Sequence, residues 1–190
     1  LTFAESFLRK LSSRLEAAGI RWMITGSTAS AHYGEPRQTQ DLDVVIDAAS
    51  QELENLVTAL RSDCYVSPEA AHEALLERGM FNVVDLESGW KADLIFLPLD
   101  PFDQTEFQRR RTVEFLGIKA FLISPEGSIL TKLRWAAASG SERQMRDVAS
   151  VVRTLGAELD REYLMHWASV LGVRETLLSV LGPPGIAKQD

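Results

Sequence analysis

The sequence predicts an α/β protein: a mixed β-sheet flanked by helices, followed by a helical C-terminal region. Three observations carry that reading. Asp41-Leu-Asp-Val-Val-Ile-Asp47 alternates like a strand with one buried face. Apolar residues at helical spacing precede it, at Phe3, Phe7, Leu8, Leu11, Leu15 and Ala18. After Ser124 every apolar pattern is helical.

Taken in order, the first helix closes at Gly19, a residue suited to a C-terminal cap. Arg21-Trp-Met-Ile-Thr25 is short and β-prone, and Gly26-Ser27 follows it at once. A helix starting at Ser27 runs towards Tyr33-Gly34 and stops before Pro36. The Asp41–Asp47 strand comes next, then a helix through Leu53, Leu56, Val57 and Leu60 with Ser50 as its expected cap. Another helix fits residues 68–78, with Gly79 as its stop. Two apolar runs, 81–86 and 90–97, joined by Glu87-Ser-Gly89, read as a hairpin. Residues 113–116 and 118–123 add further strands bent at Gly117. Ser124-Pro125 places a cap before proline at the first helical position, Ser141 caps a later helix that Gly156 closes, and Asp160 opens another ending near Gly172. Gly182-Pro-Pro-Gly185 is a breaker. The expected organisation is a sheet-bearing core over 1–123, a helical region over 124–181 packed on it, and a flexible tail over 182–190.

Composition narrows the function. Apolar residues at 45% of 190 supply a sizeable core, and 25% charged residues is an ordinary globular share. A net charge of −7 argues against a general nucleic-acid coat, which needs a basic surface. The single cysteine, Cys64, excludes an intramolecular disulfide and a multi-cysteine zinc site, and reads as a small buried hydrophobe. No apolar run approaches the ~20 residues of a membrane span, and the amphipathic N-terminus is no signal peptide, so the expectation is a soluble cytoplasmic protein.

The chemistry rests on acids. Asp41 and Asp43 are two residues apart on one strand and project from the same sheet face, while Leu42, Val44 and Ile46 face a core. Paired carboxylates repel unless a cation lies between them, and an all-oxygen pair with open positions suits Mg²⁺ or Mn²⁺. The bland reading is a turn residue followed by an exposed acid. Gly26-Ser27, between a strand and a helix, is a candidate phosphate grip or simply a helix start. Asp93 is a charge inside an apolar run and needs a partner, for which a metal is one candidate. Asp85 is its rival. A two-residue turn at Ser88-Gly89 would pair Asp93 with Val84 and turn Asp85 to the opposite face; a three-residue loop would put both acids on one face.

Ile-Thr-Gly26-Ser27, then Asp41-Leu-Asp43-Val, then Ala-Asp93-Leu-Ile resembles the polymerase-beta-like nucleotidyltransferase superfamily. Glu-Pro-Arg37-Gln-Thr39-Gln-Asp41-Leu-Asp43, Ser124-Pro-Glu126 with Lys132, and Ser-Glu-Arg143-Gln-Met-Arg146-Asp147-Val look like its bacterial and archaeal branch that includes abortive-infection toxins. The similarity spans roughly residues 20–170. It implies the nucleotidyltransferase fold, with Asp41, Asp43 and Asp93 as catalytic metal ligands and Asp93 also drawing the proton from an acceptor hydroxyl. It implies that Gly26 and Ser27 grip the β- and γ-phosphates of an NTP, that Lys132 reaches the triphosphate, and that Arg37 and Arg143 add phosphate contacts. The implied reaction moves a nucleoside monophosphate to RNA or tRNA, a protein or a small molecule. A non-catalytic nucleotide-binding or antitoxin-like partner on the same fold is the other reading. Gly-Ser stands here where Gly-Gly is common in the toxin-like branch. The helix after Ser141 carries Arg143, Arg146, Asp147 and Ser150 on one side, either as function or as a solvated face with an Arg143–Asp147 pair.

Overall fold

A computed structural model describes residues 2–36, 39 and 41–182. The helices are α1 (Phe3–Ala17), α2 (Gly26–Tyr33), α3 (Ser50–Leu60), α4 (Pro68–Glu77), α5 (Pro101–Arg109), α6 (Pro125–Ser139), α7 (Glu142–Leu155), α8 (Arg161–Val170) and α9 (Arg174–Leu181). The strands are β1 (Arg21–Ile24), β2 (Asp41–Asp47), β3 (Cys64–Tyr65), β4 (Met80–Asp85), β5 (Lys91–Phe96), β6 (Arg111–Phe115) and β7 (Ile118–Leu122). They form a mixed seven-stranded sheet in the order β3-β4-β5-β2-β1-β7-β6. The α/β class read from the sequence is the observed one. Among the described residues no helix is long and apolar enough to cross a membrane.

The chain divides into two compact units, one of residues 1–28 and 38–123, the other of residues 29–37 and 124–190. All seven strands belong to the first. Its core lies on the sheet face of Leu42, Val44, Ile46, Phe81, Val83, Ala92, Leu94 and Phe96, all buried. Here α1 contributes Phe7, Leu8, Leu11 and Leu15, and α3 contributes Leu53, Leu56 and Leu60. Start signals are local. Thr2 and Glu5 make a capping box on α1, Ser67 caps α4 ahead of Pro68, and Asp100 caps α5 ahead of Pro101. Ser50 is not the cap of α3; Ala49 is, and Glu52 accepts its N–H at 2.7 Å. Glu52 thus makes only the returning half of a capping box, and no side chain of the cap residue bonds the first turn. The short β3 and the helix α5 were not read from the sequence, although Asp100-Pro101 repeats the Ser124-Pro125 pattern.

The hairpin of β4 and β5 takes neither of the two turns considered. Asn82 pairs with Asp93, and Val84 with Lys91. The register is shifted by two residues from the two-residue turn, so the side-chain faces are the same. Asp85 therefore points to the core face, where only 4% of its side chain is exposed. Lys10 of α1 pairs with it, and Ser88 donates its N–H at 2.9 Å. Arg14 grips the neighbouring Asp63 through both terminal nitrogens, the second at 2.8 Å. Burial pushes the Asp85 carboxyl up, but Lys10 and Ser88 together hold it below the usual range. The Arg14 guanidinium holds Asp63 lower still. Cys64 beside this cluster is buried, and burial with the charge of Asp63 pushes its thiol up to about 11, leaving it an inert hydrophobe.

In the second unit Leu130, Leu133, Val148, Val151, Leu164, Ala168 and Leu177 make a separate helical core. Ser124, Ser141 and Asp160 cap α6, α7 and α8. Part of the polar side of α7 packs against the chain at Glu35. Ser150 Oγ accepts the Glu35 N–H at 2.7 Å, and Arg153 pairs with Glu35 at 2.8 Å. A Cβ at Gly34 would stand 2.5 Å from Ser150 Oγ, so glycine permits this approach. Trp22 is buried, whereas Trp135 is 60% exposed because it projects from the outer side of α6.

Lys10→Met should lower stability by ~3 kcal/mol in urea unfolding, because it strands the Asp85 charge in the core. Asp63 and Asp85 titrate lower folded than unfolded, so their contribution is present above the unfolded value of about 4 and is lost as pH falls through the folded values. Acid denaturation of an Asp63→Asn/Asp85→Asn double variant should lack that component, which a pH series of urea midpoints measures.

Candidate active site

The site grows from two neighbouring strands. β2 and β5 are parallel, with Asp41 opposite Lys91 and Asp43 opposite Asp93. Cross-strand partners share a face, and alternation then brings Asp41, Asp43, Lys91 and Asp93 onto the sheet face away from Asp85. Each carboxylate sits beside apolar neighbours that point the other way: Leu42, Val44, Ala92 and Leu94 are all 5% exposed or less. Burial of those residues fixes the strand orientation, so the acids cannot rotate into the core.

Gly26 completes the first layer. It opens α2 directly after β1, with φ of +65°, and the Thr25 N–H donates to the Asp43 carbonyl at 2.9 Å. A Cβ at Gly26 would lie 1.8 Å from Asp43 Oδ2. Only glycine allows both the left-handed backbone and this close approach. Ser27 is the next residue of α2, half-buried, at the end of the helix where N–H groups and the helix dipole favour anions. Thr28 Oγ1 donates to the Asp41 carbonyl at 3.5 Å, tying the same turn to the start of β2.

Asp93 is largely enclosed, with 14% of its side chain exposed. Lys91 Nζ stands 3.1 Å from its Oδ1, and Asn82 Nδ2 donates to the same oxygen at 2.5 Å. The hydrogen bond to Asp93 raises the Lys91 ammonium above the ordinary lysine value, and the charges of Asp93, Asp41 and Asp43 add to it. Sequence reasoning missed both Lys91 and Asn82. Lys91 was within reach, since a residue two before Asp93 on one strand shares its face; Asn82 depends on the hairpin register.

The residues fit a hard divalent cation. The donors are all carboxylate oxygens, and Gly26 leaves Asp43 Oδ2 clear of any Cβ. Among the described residues no group of three or more aspartate, glutamate, histidine or cysteine side chains is placed to hold a metal ion, so Asp41, Asp43 and Asp93 do not form such a trio here. An adjacent pair such as Asp43 and Asp93 is the usual protein share for Mg²⁺, which fills its other positions with water and substrate phosphates.

Two of the remaining sequence-derived residues fall in the other unit. Lys132 and Arg143 belong to the second unit. Lys132 is 4% exposed, and its Nζ meets Asp147 at 2.7 Å and Gln144 at 2.9 Å. Asp147 thus pairs with Lys132 across α6 and α7, while Arg146 pairs with Glu142 at 3.6 Å and Arg143 is exposed. Arg37 lies outside the described residues.

The same arrangement of strands and helices occurs among solved structures. The chain resembles an antigenic nucleotidyltransferase-like protein from Paracoccidioides brasiliensis, at 21% identity over 93% of this chain and 91% of the other, with a TM-score of 0.57. The chain has the nucleotidyltransferase fold. ANT(2'')-Ia in complex with adenylyl-2''-tobramycin aligns at 14% identity over 92% of this chain and 99% of that one, TM-score 0.63. The lincosamide antibiotic adenylyltransferase LnuA, lincomycin-bound, aligns at 15% identity over 80% and 96% of the two chains, TM-score 0.51. No protein-family model matches the sequence, and no curated protein matches it. At these identities the likeness carries the fold alone, and closeness to the abortive-infection branch does not follow from it.

Gly26→Ala should cost ~3 kcal/mol, from the left-handed backbone and the clash with Asp43, whereas Ser27→Ala should stay within ~1 kcal/mol of wild type. Thermal unfolding of the two variants side by side checks this.

Proposed function

We propose that this protein is a divalent-cation-dependent nucleotidyltransferase that moves a nucleoside monophosphate from an NTP to an acceptor hydroxyl and releases pyrophosphate. The observation that carries it is the side-by-side placement of Asp43 and Asp93 on parallel strands, against the Gly26 turn at the start of α2.

In this reading Asp43 and Asp93, with Asp41 beside them, hold Mg²⁺ or Mn²⁺. The ion would neutralise charge on the triphosphate and acidify a bound oxygen. The Ser27 hydroxyl and the first N–H groups of α2 bind the β- and γ-phosphates. Asp93 accepts the proton of the acceptor hydroxyl as its oxygen forms a bond to the α-phosphorus. The bond from that phosphorus to the bridging oxygen breaks, and the pyrophosphate leaves with the electron pair. Roles for Lys132, Arg143 and Arg37 on the triphosphate rest on the family resemblance.

Among acceptors, a small-molecule hydroxyl has the most support. Two similar structures are named for adenylyl chemistry or an adenylyl product on an antibiotic, and a net charge of −7 disfavours tRNA and other RNA, with protein hydroxyls between the two. A toxin-like activity on tRNA rests on the sequence resemblance alone. One observation favours a non-catalytic, antitoxin-like or nucleotide-sensing role instead: Asp93 already has Lys91 as a counter-ion and a hydrogen bond from Asn82.

Each α-labelled NTP, with Mg²⁺, should transfer label to an acceptor in RNA, protein or small-molecule fractions. Asp41→Ala/Asp43→Ala and Asp93→Asn should lower transfer at least ~1000-fold. Asp85→Asn should keep transfer while losing stability. NTP binding without transfer by wild type would establish the sensing role.

A further inference from the structure

The carboxylate face carries its own cation. Lys91 precedes Asp93 by two residues on β5, so both side chains leave the same face. The parallel register sets Lys91 opposite Asp41 and Asp93 opposite Asp43, so its ammonium is surrounded by acids on its own strand and on the next. Its Nζ stands 3.1 Å from Asp93 Oδ1 and lies in the field of Asp41 and Asp43 as well. Asn82, by contrast, brings Asp93 a hydrogen bond without charge.

We propose that Lys91 is the resident counter-ion of the carboxylate row, holding Asp93 until a divalent cation displaces it. This inference rests on the metal-site reading given above. Asp93 Oδ1 carries both the Lys91 and the Asn82 contact, so an incoming ion competes for an occupied carboxylate. Two cations cannot share that position without strong repulsion. Lys91 is built to yield. Its side chain is 37% exposed, so water is at hand, and its four-carbon stem can carry the ammonium outward without moving the backbone. The pair thereby keeps the acids from repelling one another in the resting protein, at the cost of weaker metal binding. Lys91 is a positioning residue in this scheme, since it acts through Asp93.

Mn²⁺ binding without nucleotide, followed by the electron paramagnetic resonance signal of the free ion, tests the proposal. Wild type, Lys91→Met, Lys91→Gln, Lys91→Arg and Asp43→Asn are compared, with circular dichroism to confirm folding. Lys91→Met and Lys91→Gln should bind Mn²⁺ about tenfold more tightly than wild type, since one unit of competing charge is gone. Lys91→Arg should remain within about twofold of wild type, and Asp43→Asn should lose the site. Damage to the fold can only weaken binding, so tighter binding is not a structural artefact. Unchanged or weaker binding by both neutral variants, with Asp43-dependent binding intact in wild type, overturns the role of Lys91 and leaves the metal site standing. Absence of Asp43-dependent binding in every protein overturns both.

Discussion

Parallel pairing of β2 with β5 is the constraint on which the candidate site depends. Parallel neighbours cannot be joined by a tight turn, and here the chain runs through α3, β3, α4 and β4 before β5 docks beside β2. Once docked, Asp43 and Asp93 are bound to the same face at the same level. The buried residues between them supply the force. Leu42, Val44, Ala92 and Leu94 leave water together, and a one-residue slip of either strand would exchange them for acids. Hydrophobic burial on one face therefore sets the spacing of charges on the other.

Both faces of the hairpin carry a carboxylate, and the two are handled differently. Asp85 is sealed on the core side, where Lys10 and Ser88 satisfy it and hold it ionised. Asp93 on the other face keeps a partner that reaches water. A carboxylate shut off from water serves packing and register; one whose cation has an ample solvent route can exchange it. That contrast separates a structural acid from a site acid more clearly than the residue type does.

The helical unit has a logic of its own. Lys132, buried and bonded to Asp147 and Gln144, joins α6 to α7, and Ser150 with Arg153 ties α7 to the chain at Glu35. Along the side of α7 that looks like a charged solvent face, Asp147 and Ser150 are thus spent on internal contacts, while Arg143 and Arg146 stay exposed. A sequence distance of more than a hundred residues separates Glu35 from Arg153, which no local pattern reveals.

Much was determined locally by the sequence. The strand Asp41–Asp47 matches its predicted bounds because alternation is a property of one segment. Ser124-Pro125, Ser141 and Asp160 marked their helices because a capping hydroxyl or carboxylate bonds a backbone N–H three residues away. The common face of Asp41 and Asp43 follows from the period of a strand. The rest was decided by tertiary structure. Which acid joins Asp43 depended on hairpin register and on parallel docking of β5, and neither is encoded within a short window. Gly26 meeting Asp43, Asn82 meeting Asp93 and Lys132 turning to Asp147 are all contacts between separate segments. Local patterns state what each segment prefers; only packing states which side chains meet, because pairing energy is gained between segments distant in the chain.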